Sequence, residues 1–244
     1  MKKVHIVDCS DASLSVVFGN EIDEQLNRQT MAFANAVNEN FSEKVIDVCP
    51  TYSSVNIMYD PVSINRKELK RKLKQLLKNE VTDSGSDKKS FIWKIPVCYG
   101  GKCGEDLEDT AALTGMSAEE LVYTHSKTLY RIYMLGFLPG FAYLGGLDNK
   151  ICAPRLKSPR LEIPDGSVGI GGNQTGIYPL ASPGGWRLIG RTPVDVYNPK
   201  RTPAVLYSAG DYIKFEPVDY EDFLRIQKLI EKNSYKYEKE AYIG

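Results

Sequence analysis

Two regimes of hydrophobic patterning follow one another along the chain. Over the first 78 residues, apolar positions recur at strand spacing, then at helical spacing, and the cycle repeats. Val4–Val7 and Leu14–Phe18 predict two short strands about a Cys-Ser-Asp-Ala turn. Ile22, Leu26, Phe33 and Val37 lie near helical spacing and predict a helix over 22–38. Strands are expected at Val45–Val48 and Ser54–Tyr59, with Pro50 between them in a turn, because proline cannot donate to a ladder. A second helix, over 65–78, carries Leu69, Leu73, Leu76 and Leu77 on one face and seven Lys or Arg elsewhere, the pattern of a solvated face. Two helices on one side of a small mixed sheet is the economical assembly.

Residues 79–90 (NEVTDSGSDKKS) carry almost no large apolar group and predict a linker. Strand patterning restarts at Phe91–Tyr99, followed by a short helix over 105–113. Ser117-Ala-Glu-Glu120 fits a capping box opening a helix that ends near His125, and Tyr130–Leu135 follows as a strand. From Gly136 to Gly190 the regime changes. Twelve of the twenty glycines and six of the thirteen prolines fall in these 55 residues, against only eight charged side chains, so many tight turns must separate short apolar runs. That is the pattern of a β-barrel. A strand over 211–215, a closing helix over 220–232 and a frayed polar tail complete the chain. The predicted class is α+β: a small N-terminal α/β sandwich domain over 1–78, a linker over 79–90, and a β-barrel domain over 91–244.

Charge adds little. Lys plus Arg and Asp plus Glu stand at 31 each, so no global field favours nucleic acid or anionic lipid. No run approaches the roughly 20 apolar residues of a membrane span, and Asp8, Ser10 and Asp11 interrupt any signal-peptide core. Five cysteines, with no C-x-x-C pair, read as reduced thiols in a cytoplasmic protein, and no metal site is expected.

Candidate chemistry concentrates in the glycine- and proline-rich segment. Its glycines serve either tight barrel corners or a surface cleft built from backbone, with Gly140, Phe141, Gly171, Gly172 and Trp186 as the cleft-shaping candidates. Arg155 and Arg160 each follow a proline, and a guanidinium fork suits carboxylate or phosphate; the alternative is a pair of structural arginines. Five residues apart, they face oppositely on an ideal strand, so convergence needs a turn or bulge between them. The run 166–176 is neither a Walker loop nor a dinucleotide fingerprint, and no helix pattern follows it. Asn173, Gln174 and Thr175 are polar groups among glycines, as a small-ligand pocket requires, though turn chemistry accounts for them as well; Phe141, Tyr178 and Trp186 read as core or barrel rim ahead of ligand platform. His125 is either a satisfied structural residue or a general acid/base.

The runs GFLPGFAYLGGL, APRLKSPR, IPDGSVGIGGNQTGIYP and SPGGWRLIGRTP closely resemble the hallmark segment of the KipI and allophanate-hydrolase-subunit-1-like family, and the likeness reaches LNRQTMAFANAV near the N-terminus. One departure is Gly171-Gly172, where the family often has Ala-Gly. The resemblance implies a cyclophilin-like barrel and a subunit of the prokaryotic 5-oxoprolinase, which opens 5-oxoproline to glutamate with hydrolysis of ATP. It implies two partners, a sister cyclophilin-like subunit (KipA-like) and a lactam-utilisation-like subunit. KipI itself inhibits a sporulation histidine kinase, and a fused relative forms the carboxyltransferase part of urea carboxylase; both stand as alternatives. Under the first reading Arg155 and Arg160 supply charge, Gln174 and Tyr178 orient the substrate, and His125 handles protons. No acidic pair marks a magnesium site, so the ATP site is expected to be completed by a partner.

Overall fold

A computed structural model describes residues 4–80 and 90–243. The chain divides into two compact units, Met1–Lys88 and Lys89–Gly244. Most of the linker expected over 79–90 lies outside the described residues.

The first unit is a four-stranded sheet with two helices. Its strands are β1 (His5–Ser10), β2 (Ser13–Val17), β3 (Val45–Pro50) and β4 (Ser54–Tyr59), in the order β1-β2-β4-β3. Every pairing is antiparallel, so the expected mixed sheet is corrected: short connections make hairpins of β1–β2 and β3–β4, and β4 lies antiparallel against β2 after the chain has crossed through the helix Glu24–Phe41 and β3. Pro50 sits inside β3, at its end, rather than in the turn. Strand β4 buries Val55, Ile57 and Tyr59 and exposes the residues between them, the alternation of a sheet with one covered face. Helix α1 (Glu24–Phe41) and helix α2 (Arg66–Glu80) supply that cover, with Phe33, Val37, Leu69 and Leu73 in the same core. The Asp23 side chain caps α1 by accepting from the Leu26 amide at 2.8 Å, so the helix starts at Glu24 rather than at Ile22.

The second unit is a nearly closed barrel. Strand β5 (Phe91–Tyr99) lies at its centre, followed by α3 (Leu107–Thr114), α4 (Ala118–Lys127), β6 (Leu129–Leu135), β7 (Ala142–Gly145), β8 (Arg160–Ile163), β9 (Ser167–Gly171), β10 (Gln174–Ile177), β11 (Ser182–Gly184), β12 (Arg187–Arg191), β13 (Tyr212–Val218), α5 (Tyr220–Glu231) and β14 (Lys239–Ala241). The main path runs β10-β9-β12-β5-β13-β6-β7, and β7 comes back beside β10. Strand β13 pairs with β5 in parallel; the other ladders of this path are antiparallel. Ile95, Val97, Ile132, Leu144, Val168, Ile170, Ile189 and Phe215 fill the interior. The Ser117 capping box is formed in both directions, which fixes where α4 begins.

The C-terminal tail is the other correction. It does not fray: β14 pairs with Phe91–Trp93 of β5, and the Lys239 ammonium lies 4.1 Å from the Phe91 ring centroid and 4.7 Å from that of Trp93. No described helix is long and apolar enough to cross a membrane.

Candidate functional site

Strands β8 and β11 leave the barrel and pair only with each other. Between β7 and β8 the chain is irregular from Cys152 to Pro159, pinned by three contacts: Ala153 and Gly172 exchange backbone hydrogen bonds at 3.2 and 2.7 Å, the Leu156 amide donates to the Gly185 carbonyl at 2.7 Å, and Arg187 Nε donates to the Pro154 carbonyl at 2.9 Å. This irregular stretch is the turn that two arginines five residues apart need in order to converge.

Their target is a small aromatic cluster separate from the main core. Phe141, Tyr178 and Trp186 are buried and meet edge to face, with centroids 5.7–6.0 Å apart, alongside Ile163 and Leu188. Gly171 is what lets the indole in: a Cβ at that position would stand 2.4 Å from Trp186 Cδ1. Gly140 takes φ +82°, and its carbonyl accepts from the buried Tyr207 hydroxyl at 2.9 Å, which turns the chain into Phe141. Gly172 holds the tip of the β9–β10 hairpin against Ala153. Gln174, half-buried at the start of β10, pairs with Gly171 across that hairpin. The cleft-shaping candidates and Gln174 thus share one edge of the barrel.

The two arginines reach this edge in different states. Arg155 is exposed, with its guanidinium carbon 5.9 Å from the Trp186 ring centroid, at cation–π range. Among the described residues no carboxylate lies within ion-pair distance of it. Arg160 has every guanidinium nitrogen engaged: Nε to Glu105 Oε1 at 2.9 Å, Nη2 to Asp106 Oδ1 at 2.8 Å, and Nη1 to the Trp186 carbonyl at 3.5 Å. Both charges are felt at the Tyr178 hydroxyl. Burial raises its pKa above the usual value, opposed by a backbone hydrogen bond from Trp186 and then by Arg155 and Arg160.

His125 is elsewhere, and its expected proton-handling role is corrected. It is fully buried in α4, its ring stacked on Phe215 at 4.7 Å between centroids. Thr175 Oγ1 donates its one proton to the Gly169 carbonyl at 2.9 Å, so it must accept from His125 Nε2–H at 2.8 Å. Nδ1 is then the acceptor for the Tyr99 hydroxyl, also at 2.8 Å. Burial drives the imidazole pKa down to about 3 and the Tyr99 hydroxyl well above its ordinary value. A neutral ring with both nitrogens used and no exposed surface does not meet a ligand.

Glu105 and Asp106 are the site residues that sequence reasoning missed. Nothing local marks them, since their partner lies more than fifty positions away. A separate groove of about 500 Å³ lies between α3, α4 and the end of β5, lined by Tyr99, Leu107, Glu108, Glu119, Val122 and Tyr123 among others; it holds none of the predicted site residues. Among the described residues no group of three His, Cys, Asp or Glu side chains could hold a metal ion.

Residues 4–207 match the family described as carboxyltransferase domain, subdomain C and D. The chain is 38% identical to the 5-oxoprolinase subunit designated B in Bacillus subtilis, over 91% of this chain and 95% of that one. It is 41% identical to the 5-oxoprolinase subunit of the same designation in Escherichia coli O157:H7, over 71% and 78%. Among solved structures, the urea amidolyase of K. lactis superposes with a TM-score of 0.81 at 21% identity, covering 98% of this chain and 16% of that longer one, a likeness of fold.

Proposed function

Because the chain belongs to the carboxyltransferase-domain family, subdomains C and D, and shares 38–41% identity with these 5-oxoprolinase subunits, we propose that it is a non-autonomous subunit of an ATP-dependent 5-oxoprolinase. Its barrel is of the cyclophilin-like type, and it works in the cytoplasm with a sister barrel subunit and a lactam-utilisation-like subunit. The observation that carries the reading is the match to named subunits over nearly the whole chain, together with an exposed guanidinium on the aromatic edge built by the family's hallmark segment.

The chemistry sets what such an edge must do. The lactam amide of 5-oxoproline resists hydrolysis, so the γ-phosphoryl group of ATP is first transferred to the lactam oxygen. Water then adds to the activated carbon and the C–N bond opens with the nitrogen taking a proton, which leaves the γ-carboxyl as an acyl phosphate; a second water hydrolyses that bond and releases phosphate and a proton. The sum is 5-oxoproline, ATP and two waters in, glutamate, ADP and phosphate out. Arg155, exposed beside Trp186, would hold the substrate carboxylate by charge-assisted hydrogen bonds. The Tyr178 hydroxyl, kept protonated by burial, can donate to a ligand oxygen, and Gln174 offers an amide at the hairpin's start. Among the described residues no group of three His, Cys, Asp or Glu side chains could hold a metal ion, and the 166–176 run folds as a β-hairpin rather than a phosphate loop leading into a helix. In this reading the nucleotide and its magnesium are held with the partner subunits.

The test is reconstitution. Mixing the three subunits with ATP and 5-oxoproline should release glutamate, and leaving this chain out should abolish release. Undiminished release without it would refute the reading.

A further inference from the structure

We propose that Asp106 is a positioning residue: with Glu105 it converts Arg160 from a ligand-binding cation into a strut that fixes Trp186, leaving recognition of the substrate carboxylate to Arg155. The proposal rests on the 5-oxoprolinase reading for its kinetic consequence and on the geometry of the chain for its structural one.

Asp106 is only 6% exposed, and both its carboxylate oxygens are committed. Oδ1 accepts from Arg160 Nη2 at 2.8 Å, and Oδ2 accepts from the Leu188 amide at 2.7 Å. Its own amide donates to the Leu188 carbonyl at 2.9 Å, so the residue is stitched to β12 through both its backbone and its side chain. Gly104, two positions earlier, permits this approach, because a Cβ there would lie 2.1 Å from the Ile189 carbonyl oxygen. Arg160 extends the clamp. Held by Glu105 and Asp106, it reaches the Trp186 carbonyl, two residues before Leu188. The chain at and just after the indole is thereby tied to one buried carboxylate, and the indole is the surface on which Arg155 lies.

The division of labour follows from which guanidinium has carboxylate partners. Three of the five N–H groups of Arg160 face protein acceptors, and two of those acceptors are carboxylates that match its charge. A second anion would approach a guanidinium whose charge two carboxylates already balance. Arg155 has neither partner: it is exposed, with its guanidinium carbon 5.9 Å from the Trp186 ring centroid. A small carboxylate thus meets one free guanidinium, backed by a ring held in place by the other.

Two experiments test this. In the reconstituted three-subunit enzyme, Arg155→Gln and Asp106→Asn should each raise KM for 5-oxoproline by about tenfold, with kcat within about twofold. The double variant should be no worse than Arg155→Gln alone, because Asp106 acts through the surface that serves Arg155. Multiplying effects in the double variant, or a fall in kcat at unchanged KM, would overturn the proposal. The second experiment needs no enzymatic activity. In the isolated chain, the Trp186 indole N–H resonance, assigned with Trp93→Phe, should move in Asp106→Asn and in Arg160→Gln. A resonance that stays put in both folded variants overturns the strut. Arg160→Gln covers the case in which Asp106→Asn does not fold, since Arg160 is partly open to solvent. Should the three subunits release no glutamate at all, the 5-oxoprolinase reading fails while the resonance test still decides the clamp.

Discussion

His125 and Arg155 sit in similar company and do opposite things. Each places a nitrogen-bearing planar group against aromatic rings, His125 on Phe215 with Tyr99 and Tyr130 nearby, Arg155 on Trp186 beside Tyr178. Around His125 every donor finds an acceptor inside the protein and water is excluded, so the group is neutral and serves the core. Around Arg155 the charge has no carboxylate partner among the described residues and stays in solvent, so its hydrogen-bonding capacity is available to a ligand. Aromatic neighbours do not distinguish a structural group from a functional one; spare hydrogen-bonding capacity at an accessible surface does.

The contrast can be broken most forcefully at His125. Replacing it by alanine empties a packed site and leaves Tyr99 and Thr175 without their partners, and the barrel unit should lose about 3–5 kcal/mol in denaturant unfolding. A loss within experimental error would mean that the ring does not support the core.

The pH dependence is the next largest effect. The imidazole titrates near 3 when folded, against 6.5 for the free group, so below pH 6.5 the unfolded chain binds the proton that the folded chain refuses. This contribution to stability is therefore complete above pH 6.5 and is lost as the pH falls from there toward 3, with a limiting slope of about 1.4 kcal/mol per pH unit. Denaturation midpoints across that range should fall for the wild-type protein. The part of the slope due to this residue should vanish in His125→Gln, and an identical slope in both would place the titrating group elsewhere.

A smaller change sharpens the comparison from the other side. Gly171→Ala puts a methyl into the Trp186 ring, so the indole must shift, at a cost of about 1–3 kcal/mol. Glutamate release by the reconstituted enzyme should drop along with stability, whereas His125→Gln should lose activity only in proportion to the fraction unfolded. The smallest effect on stability is expected at Arg155, where glutamine should change the unfolding free energy by no more than about 0.5 kcal/mol, measured in the same denaturant titration.

How much of this was legible in the sequence depended on distance along the chain. Ser54–Tyr59 and Phe91–Tyr99 announce themselves as strands by alternation and β-branched or aromatic content, and the structure keeps both at those bounds. The Ser117 box was readable because its two halves are three residues apart. Strand β14 was not: Lys-Glu-Ala has no strand propensity, and its order comes from the edge of β5 and the rings of Phe91 and Trp93. The burial of His125 depends on Tyr99, Thr175 and Phe215, brought from three separate strands, and no local pattern reports that. The same holds for the aromatic edge: its ingredients were visible in the density of glycine and proline and in Arg155, Tyr178 and Trp186. Which arginine stays available was decided by Glu105 and Asp106, far upstream.

The most direct measurement is glutamate release by the reconstituted complex carrying Arg155→Gln, made alongside its melting temperature. The melting temperature should be unchanged from wild type and kcat/KM for 5-oxoproline lower by about tenfold or more. A folded Arg155→Gln variant that supports full kcat/KM would contradict the substrate-binding role of Arg155.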